Sequence, residues 1–180
     1  VVDRDRVPGL RTVQTHLARQ GLNVRADGRA PGKVYGRFEA AARNELWTGD
    51  GLHGPKLADS AARAVLVAFI DDHSRLLVGW RWGTGEDVFR LEAALRSGLM
   101  SRGVPDAILV DRGSAFVSSQ LLRALAILGI TLTHSKPGQP AGRGKIERFF
   151  RTVREQFLVE LAVPGALEKV GGLLRLNELF

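Results

Sequence analysis

The stretch RAVLVAFIDDHSRLLVGWRWG, residues 63–83, constrains the fold more than any other part of the chain. Two runs rich in β-branched and aromatic residues flank DDHS, a turn sequence, and such a pattern reads as a hairpin. What surrounds it sets the fold class. Upstream, LWTGDG from Leu46 is a short strand candidate. Downstream, EDVFRLEAALRSGLMSRG puts Val88, Leu91, Leu95 and Leu99 on one helical face, with a start at Thr84 or Gly85 and a stop at Gly103. DAILVD is then a strand ending in Asp111, SSQLLRALAILG a helix with a serine cap and Gly129 as its stop, and ITLTHS another strand. The Pro- and Gly-rich KPGQPAGRG leads into a helix over KIERFFRTVREQF, and PGALEKVGGLLRLNELF suggests a last one. The order βββαβαβ followed by helices predicts an α/β three-layer fold. Its antiparallel half is led by the hairpin, and its crossover helices permit parallel strands.

A chain of 180 residues suits one domain of ordinary size with a real core. It has no cysteine, which excludes disulfides and thiolate metal sites and leaves Asp, Glu and His as metal ligands. No apolar run reaches the roughly 18 residues that span a bilayer, and the start lacks the layout of a secretory signal. The expected location is cytoplasmic, with no membrane partner. The net charge of +7 is unevenly placed. Residues 1–45 hold 9 basic and 5 acidic side chains and residues 136–157 hold 6 and 2, whereas residues 46–135 balance at 9 and 9. Two basic surfaces suit a polyanion such as nucleic acid. A general preference for arginine explains the residue type but not the clustering.

Residues 9–20, with Leu10, Val13 and Leu17 at helical spacing, form a helix too short to bury a face alone. A polar, Gly- and Arg-rich linker follows to about Ala42.

With the first strand at the centre of the sheet and DAILVD parallel beside it, Asp50 and Asp111 lie near the same end of strands about 4.7–4.9 Å apart. Asp71 and Asp72 fall at the hairpin turn, at the other end, and read as turn residues. Two close carboxylates repel unless a cation joins them, and a third acid would complete an oxygen-rich site suited to Mg²⁺ or Mn²⁺. Glu147 can supply it. The 35 residues between Asp111 and Glu147 allow a helix, a strand and a loop before the chain returns. Two ions in such a site could activate a nucleophile and stabilise the leaving oxygen of a phosphodiester. Each acid also has a plainer reading: Asp50 as a turn cap, Asp111 as the start of the DRG turn, and Glu147 as an i,i+4 partner of Arg151. On the helix, Ile146, Phe150, Val153 and Phe157 make the apolar stripe, and Glu147 stands at its edge in line with Arg143, Arg151 and Arg154.

From about Asn44 onward the chain resembles the insertion-sequence transposases with a retroviral-integrase-like catalytic core. LWTGDGLHGP, VAFIDDHSRLLVG, VDRGSAF and GRGKIERFFRTVREQF carry the resemblance, together with the spacing of 35 between the last two acids. It implies a ribonuclease-H-like fold around a mixed five-stranded sheet, βββαβαβα, with helices on both faces. It further implies a DDE transposase with Asp50, Asp111 and Glu147 as catalytic metal ligands for Mg²⁺ or Mn²⁺, two ions in all. The implied partners are transposon-end and target DNA and further copies of the chain in a synaptic complex, in a bacterial, nucleoid-associated setting. Residues 1–43 then read as the end of a helix-turn-helix DNA-recognition region plus its basic linker, and 44–180 as the catalytic core with its C-terminal part cut short. Lys136, Arg143, Lys145, Arg148, Arg151 and Arg154 are the expected DNA-binding residues, with Arg112 beside them where the family commonly has Asn. A catalytically silent DNA-binding remnant or regulator of transposition is the competing reading. A ribonuclease H, for which Glu86 or Glu92 would supply a further acid, is a third.

Several other residues have bland readings. Trp47, Trp80, Trp82, Phe116 and Phe149 read as core rather than as stacking platforms. His53 and His73 read as turn residues and His134 as a strand end, with no pair at zinc spacing. Gly138, Gly142 and Gly144 permit a loop that orders on DNA beside Glu147.

Overall fold

The computed structural model describes residues 10–20, 39–57, 62–85, 88–111, 113–135, 142–161 and 172–180. The chain separates into two compact units, Val1–Gly36 and Arg37–Phe180. In the first, the described segment is helix α1 (Leu10–Arg19), whose side chains from Arg11 onward are all exposed.

The second unit is built on strands β1 (Leu46–Lys56), β2 (Arg63–Asp71), β3 (Leu77–Gly83), β4 (Ala107–Val110) and β5 (Thr131–His134). Helix α2 (Val88–Arg102) joins β3 to β4, and α3 (Ser119–Ile127) joins β4 to β5. Helix α4 (Gly144–Thr152) runs on through a π-helical turn, Val153–Leu158, into α5 (Val159–Leu161), and α6 (Leu173–Leu179) follows. The sheet order is β3-β2-β1-β4-β5, with β1 central, the hairpin antiparallel on one side and β4 and β5 parallel on the other. This is the mixed five-stranded sheet that the sequence predicts.

Strand β2 is buried along its length after Arg63, which is why its apolar run does not alternate. Its odd residues face one helical layer and its even residues the other. Val67 and Phe69 join Trp47, Ile108 and Val110 under α2 and α3, where Leu91, Leu95, Leu121 and Leu125 are buried. Leu66, Ala68 and Ile70 join Leu52 and Trp82 beneath Ile146, Phe150, Val153 and Leu176. Ser118 caps α3 by accepting the Leu121 N–H, as the sequence suggests.

Strand β1 is longer than the short strand expected at LWTGDG. It runs for 11 residues and pairs with β2 through His53 despite three glycines and a proline. Two of those glycines are demanded by packing rather than by a turn. A Cβ on Gly49 would collide with the Phe69 ring, and one on Gly54 would lie 2.6 Å from the Trp82 ring. The glycines let bulky rings lie flat on the strand.

At the outer edge, Asn177 of α6 accepts the Trp82 N–H at 3.0 Å and donates to the Trp82 carbonyl at 3.2 Å. One side chain thus satisfies both outward backbone groups of an edge-strand residue. Phe180 meets Trp80 edge-on at 4.9 Å and Phe157 at 5.0 Å between ring centroids, which pins the last helix to the sheet.

Candidate active site

Strands β1 and β4 pair in parallel as Leu46 with Ala107, Trp47 with Ile108 and Thr48 with Leu109. Carried on by two residues, that register sets Asp50 beside Asp111. Asp50 is also opposite Ala68, whose side chain lies on the face covered by α4. The carboxylates therefore meet on the side of the sheet where Glu147 resides, as the strand argument requires.

Each carboxylate uses one oxygen locally. Asp50 Oδ1 accepts the Gly51 N–H at 2.9 Å within β1, not at the turn the plainer reading gave it, and Asp111 Oδ1 accepts the Gly113 N–H at 2.9 Å, as the DRG turn reading expects. The second oxygens turn to a shared cation. Arg143 Nη2 lies 2.5 Å from Asp50 Oδ2 and 3.9 Å from Asp111 Oδ2. Burial pushes the Asp50 carboxyl above its ordinary value of 3.8, and the like charge of Asp111 adds to this. The Arg143 charge and hydrogen bond and the Gly51 N–H oppose the shift without cancelling it. Two oxygen donors gathered around one positive charge fit a hard divalent cation.

Glu147 stands apart from this pair. It lies in the first turn of α4, exposed, and its N–H bonds to the Arg143 carbonyl at 3.1 Å. It is thus one helical turn from the residue that reaches both aspartates, on the same flank. Its carboxylate makes no ion pair among the described residues, with Arg151 or otherwise. Nor do three acids or histidines among those residues close into a metal-holding group.

The basic residues divide. Arg148, Arg151 and Arg154 are exposed, as DNA-facing side chains should be. Arg143 and Lys145, expected among them, are instead part-buried and committed to carboxylates. Lys145 Nζ pairs with Asp72 Oδ2 and donates to the Asp72 carbonyl at 3.1 Å. Asp72 is fully buried and also accepts the Ala40 N–H at 2.7 Å. Asp72 does lie in the hairpin turn, as the sequence indicates, and it also anchors the start of α4 to the end of β2. Its neighbour Asp71 does hold the turn, accepting from Ser74 N, Ser74 Oγ and Asn44 N. No periodicity distinguishes the two, because the difference lies in which one a distant lysine reaches. Lys136 and Arg112 lie outside the described residues, as do Glu86 and Gly138.

Trp47 and Trp82 are buried core residues, as expected, and Trp80 and Phe149 are half-buried. His73 Nδ1 meets the Ala40 carbonyl at 3.0 Å in the turn region, and His134 ends β5.

A family model described as the integrase core domain matches residues 40–140. The chain belongs to that family. The transposase for transposon Tn552 of Staphylococcus aureus is 31% identical to this integrase core over 140 residues, covering 71% of this chain and 29% of that protein. The transposase for insertion sequence element IS904 of Lactococcus lactis subsp. lactis (strain IL1403) is 26% identical over 152 residues, covering 83% and 57%. The chain therefore spans between about a third and three fifths of these relatives. Among solved structures, the simian T-cell lymphotropic virus intasome in complex with the PP2A regulatory subunit B56 gamma matches 90% of the chain and 63% of its own, with a TM-score of 0.63 and 21% identity. The HTLV-2 integrase catalytic core domain in complex with magnesium matches 79% and 90%, with a TM-score of 0.58 and 21% identity. The fold is that of the ribonuclease-H-like integrase cores. Among the described residues no helix is long and apolar enough to cross a membrane.

Proposed function

We propose that this integrase core is the catalytic part of a DNA transposase that cuts and joins DNA strands, with Asp50, Asp111 and Glu147 as its metal-holding acids. The observation that carries the reading is the pair Asp50 and Asp111 on adjacent parallel strands, each offering one oxygen to a single cation. When bound there, Mg²⁺ or Mn²⁺, as two ions, supplies activation of the attacking oxygen and stabilisation of the leaving oxygen in an in-line displacement at phosphorus. The protein's share is placement. Asp50 and Asp111 are fixed by their own backbone hydrogen bonds, and Glu147 is carried on the helix turn that Lys145 ties to the sheet.

Arg148, Arg151 and Arg154, together with Lys136 and Arg112, would hold DNA phosphates. Residues 1–43 would contribute recognition of the transposon ends, and copies of the chain would assemble to bring two ends to a target, in the bacterial cytoplasm at the nucleoid. The standing apart of Glu147 favours a second reading, a catalytically silent DNA-binding regulator of transposition.

A strand-transfer assay on DNA carrying the terminal repeats of its own locus, with Mg²⁺ or Mn²⁺, separates the two. The wild-type full-length protein should give a metal-dependent joined product that Glu147→Gln lowers by at least 100-fold, roughly the size of a lost metal or acid–base group. No metal-dependent product from either would favour the silent reading, whereas a variant as active as wild type would remove Glu147 from the reacting site.

A further inference from the structure

We infer that Arg143 is a built-in competitor for the cation: its guanidinium occupies the place between Asp50 and Asp111, and a divalent ion must expel it to bind. This rests on the metal-binding reading proposed above. Four observations support it.

The guanidinium nitrogen nearest the pair is hydrogen-bonded to Asp50 at 2.5 Å and lies 3.9 Å from Asp111, so the space between the two carboxylates is taken by protein. The side chain is mostly buried, at 21% exposure, and its Nε is buried with no hydrogen-bond partner. Such a group is held by charge rather than by a completed hydrogen-bond set, and a buried donor left unpaired costs free energy that release to solvent recovers. Asp50 itself is only 13% exposed, against 36% for Asp111, so in the absence of any cation a mostly buried carboxylate would face a like charge. Arg143 prevents that. Finally, the backbone just ahead is built for this approach: Gly142 has φ of +93°, and a Cβ there would lie 2.8 Å from Leu109 Cδ2. Only glycine combines that left-handed conformation with that contact, and it delivers the next residue directly onto the pair.

The consequence is an exchange of positive charges. Without metal the core is kept intact by its own arginine. With metal, the same guanidinium is set free beside the site, where a phosphate oxygen is the ligand its geometry suits. The apparent affinity for metal then reports the fraction of molecules in which the arginine is out. If that fraction is about a tenth, removing the arginine tightens binding about tenfold.

The test measures Mn²⁺ binding by calorimetry, and melting temperature in a chelator and in Mn²⁺, on the full chain without DNA. The variants are wild type, Arg143→Gln, Arg143→Lys and Asp50→Asn. Arg143→Gln should melt lower than wild type in chelator, bind Mn²⁺ about tenfold more tightly, and gain more from Mn²⁺ in melting temperature. Arg143→Lys keeps a cation and should stay close to wild type in both. That variant guards against misreading a general loss of folding. If Arg143→Gln binds Mn²⁺ as wild type does or more weakly, while Asp50→Asn still loses binding, the competitor role is overturned and the metal site stands. If binding is indifferent to Asp50→Asn, the metal reading itself falls, and this inference with it.

Discussion

At the scale of single residues, adjacent acids of the same type have come to do opposite things. Asp71 and Asp72 are neighbours in sequence, yet one holds a turn and the other is sealed under α4. Burial pushes the Asp71 carboxyl up, but the Ser74 hydroxyl, the Ser74 and Asn44 N–H groups and the nearby His73 together outweigh it and hold it below its ordinary value of 3.8. A carboxyl with a lowered folded value stabilises the fold fully above its unfolded value, and that contribution disappears as pH falls through the folded one. Urea unfolding between pH 6 and pH 2 should therefore show a loss of stability on acidification below about pH 4 that is smaller in Asp71→Asn. The juxtaposition of Asp50 and Asp111 is legible in the sequence because strand parity is a periodic property. What the sequence does not show is that Arg143 and Lys145 meet carboxylates, since a cation looks the same whether it meets a phosphate or a carboxylate 73 or 93 residues away.

At the scale of elements, the site depends on how α4 is tied to the sheet. Two attachments flank Glu147's turn: Arg143 to Asp50, and Lys145 to the buried Asp72. Removing one partner of a buried pair strands the other, which typically costs about 3–5 kcal/mol, whereas replacing both costs far less. Lys145→Met should thus destabilise the core by roughly 3 kcal/mol, and the double variant Asp72→Asn, Lys145→Met should recover part of that loss. A denaturant double-mutant cycle checks it, and additive effects would mean that the pair is not the tether. The existence and order of the strands and helices are legible in the sequence because β2's unbroken apolar run and α2's spacing each have one reading. The length of β1 is not. LWTGDG ends the strand reading at Gly51, and Gly54 and Pro55 hide its continuation until the Trp82 ring that requires Gly54 is in place.

At the scale of the molecule, the two faces of the sheet close differently. The α2 and α3 face is completed by crossovers that the chain must make to keep β4 and β5 parallel. The other face relies on later segments, with Leu176 fully buried and Phe180 against the rings of Trp80, Trp82 and Phe157. Deleting residues 172–180 would uncover the β3 edge and that aromatic surface together. The shortened chain should melt at least 10 °C lower, the order expected when several buried side chains of about 2–5 kcal/mol each are lost. It should also associate through the exposed strand in sedimentation experiments. The sequence shows a last helix there, but not that Asn177 pairs with Trp82, which no local pattern encodes. Between the two halves of this layer lies the π-helical turn Val153–Leu158. A π turn closes on the fifth residue instead of the fourth, so it takes up one residue of slack. The start of the helix is held in phase by the carboxylates and its far end by the aromatic rings. The spare residue lets each keep its own angle, so an adjustment of the helix at the Glu147 end need not become rotation at the other.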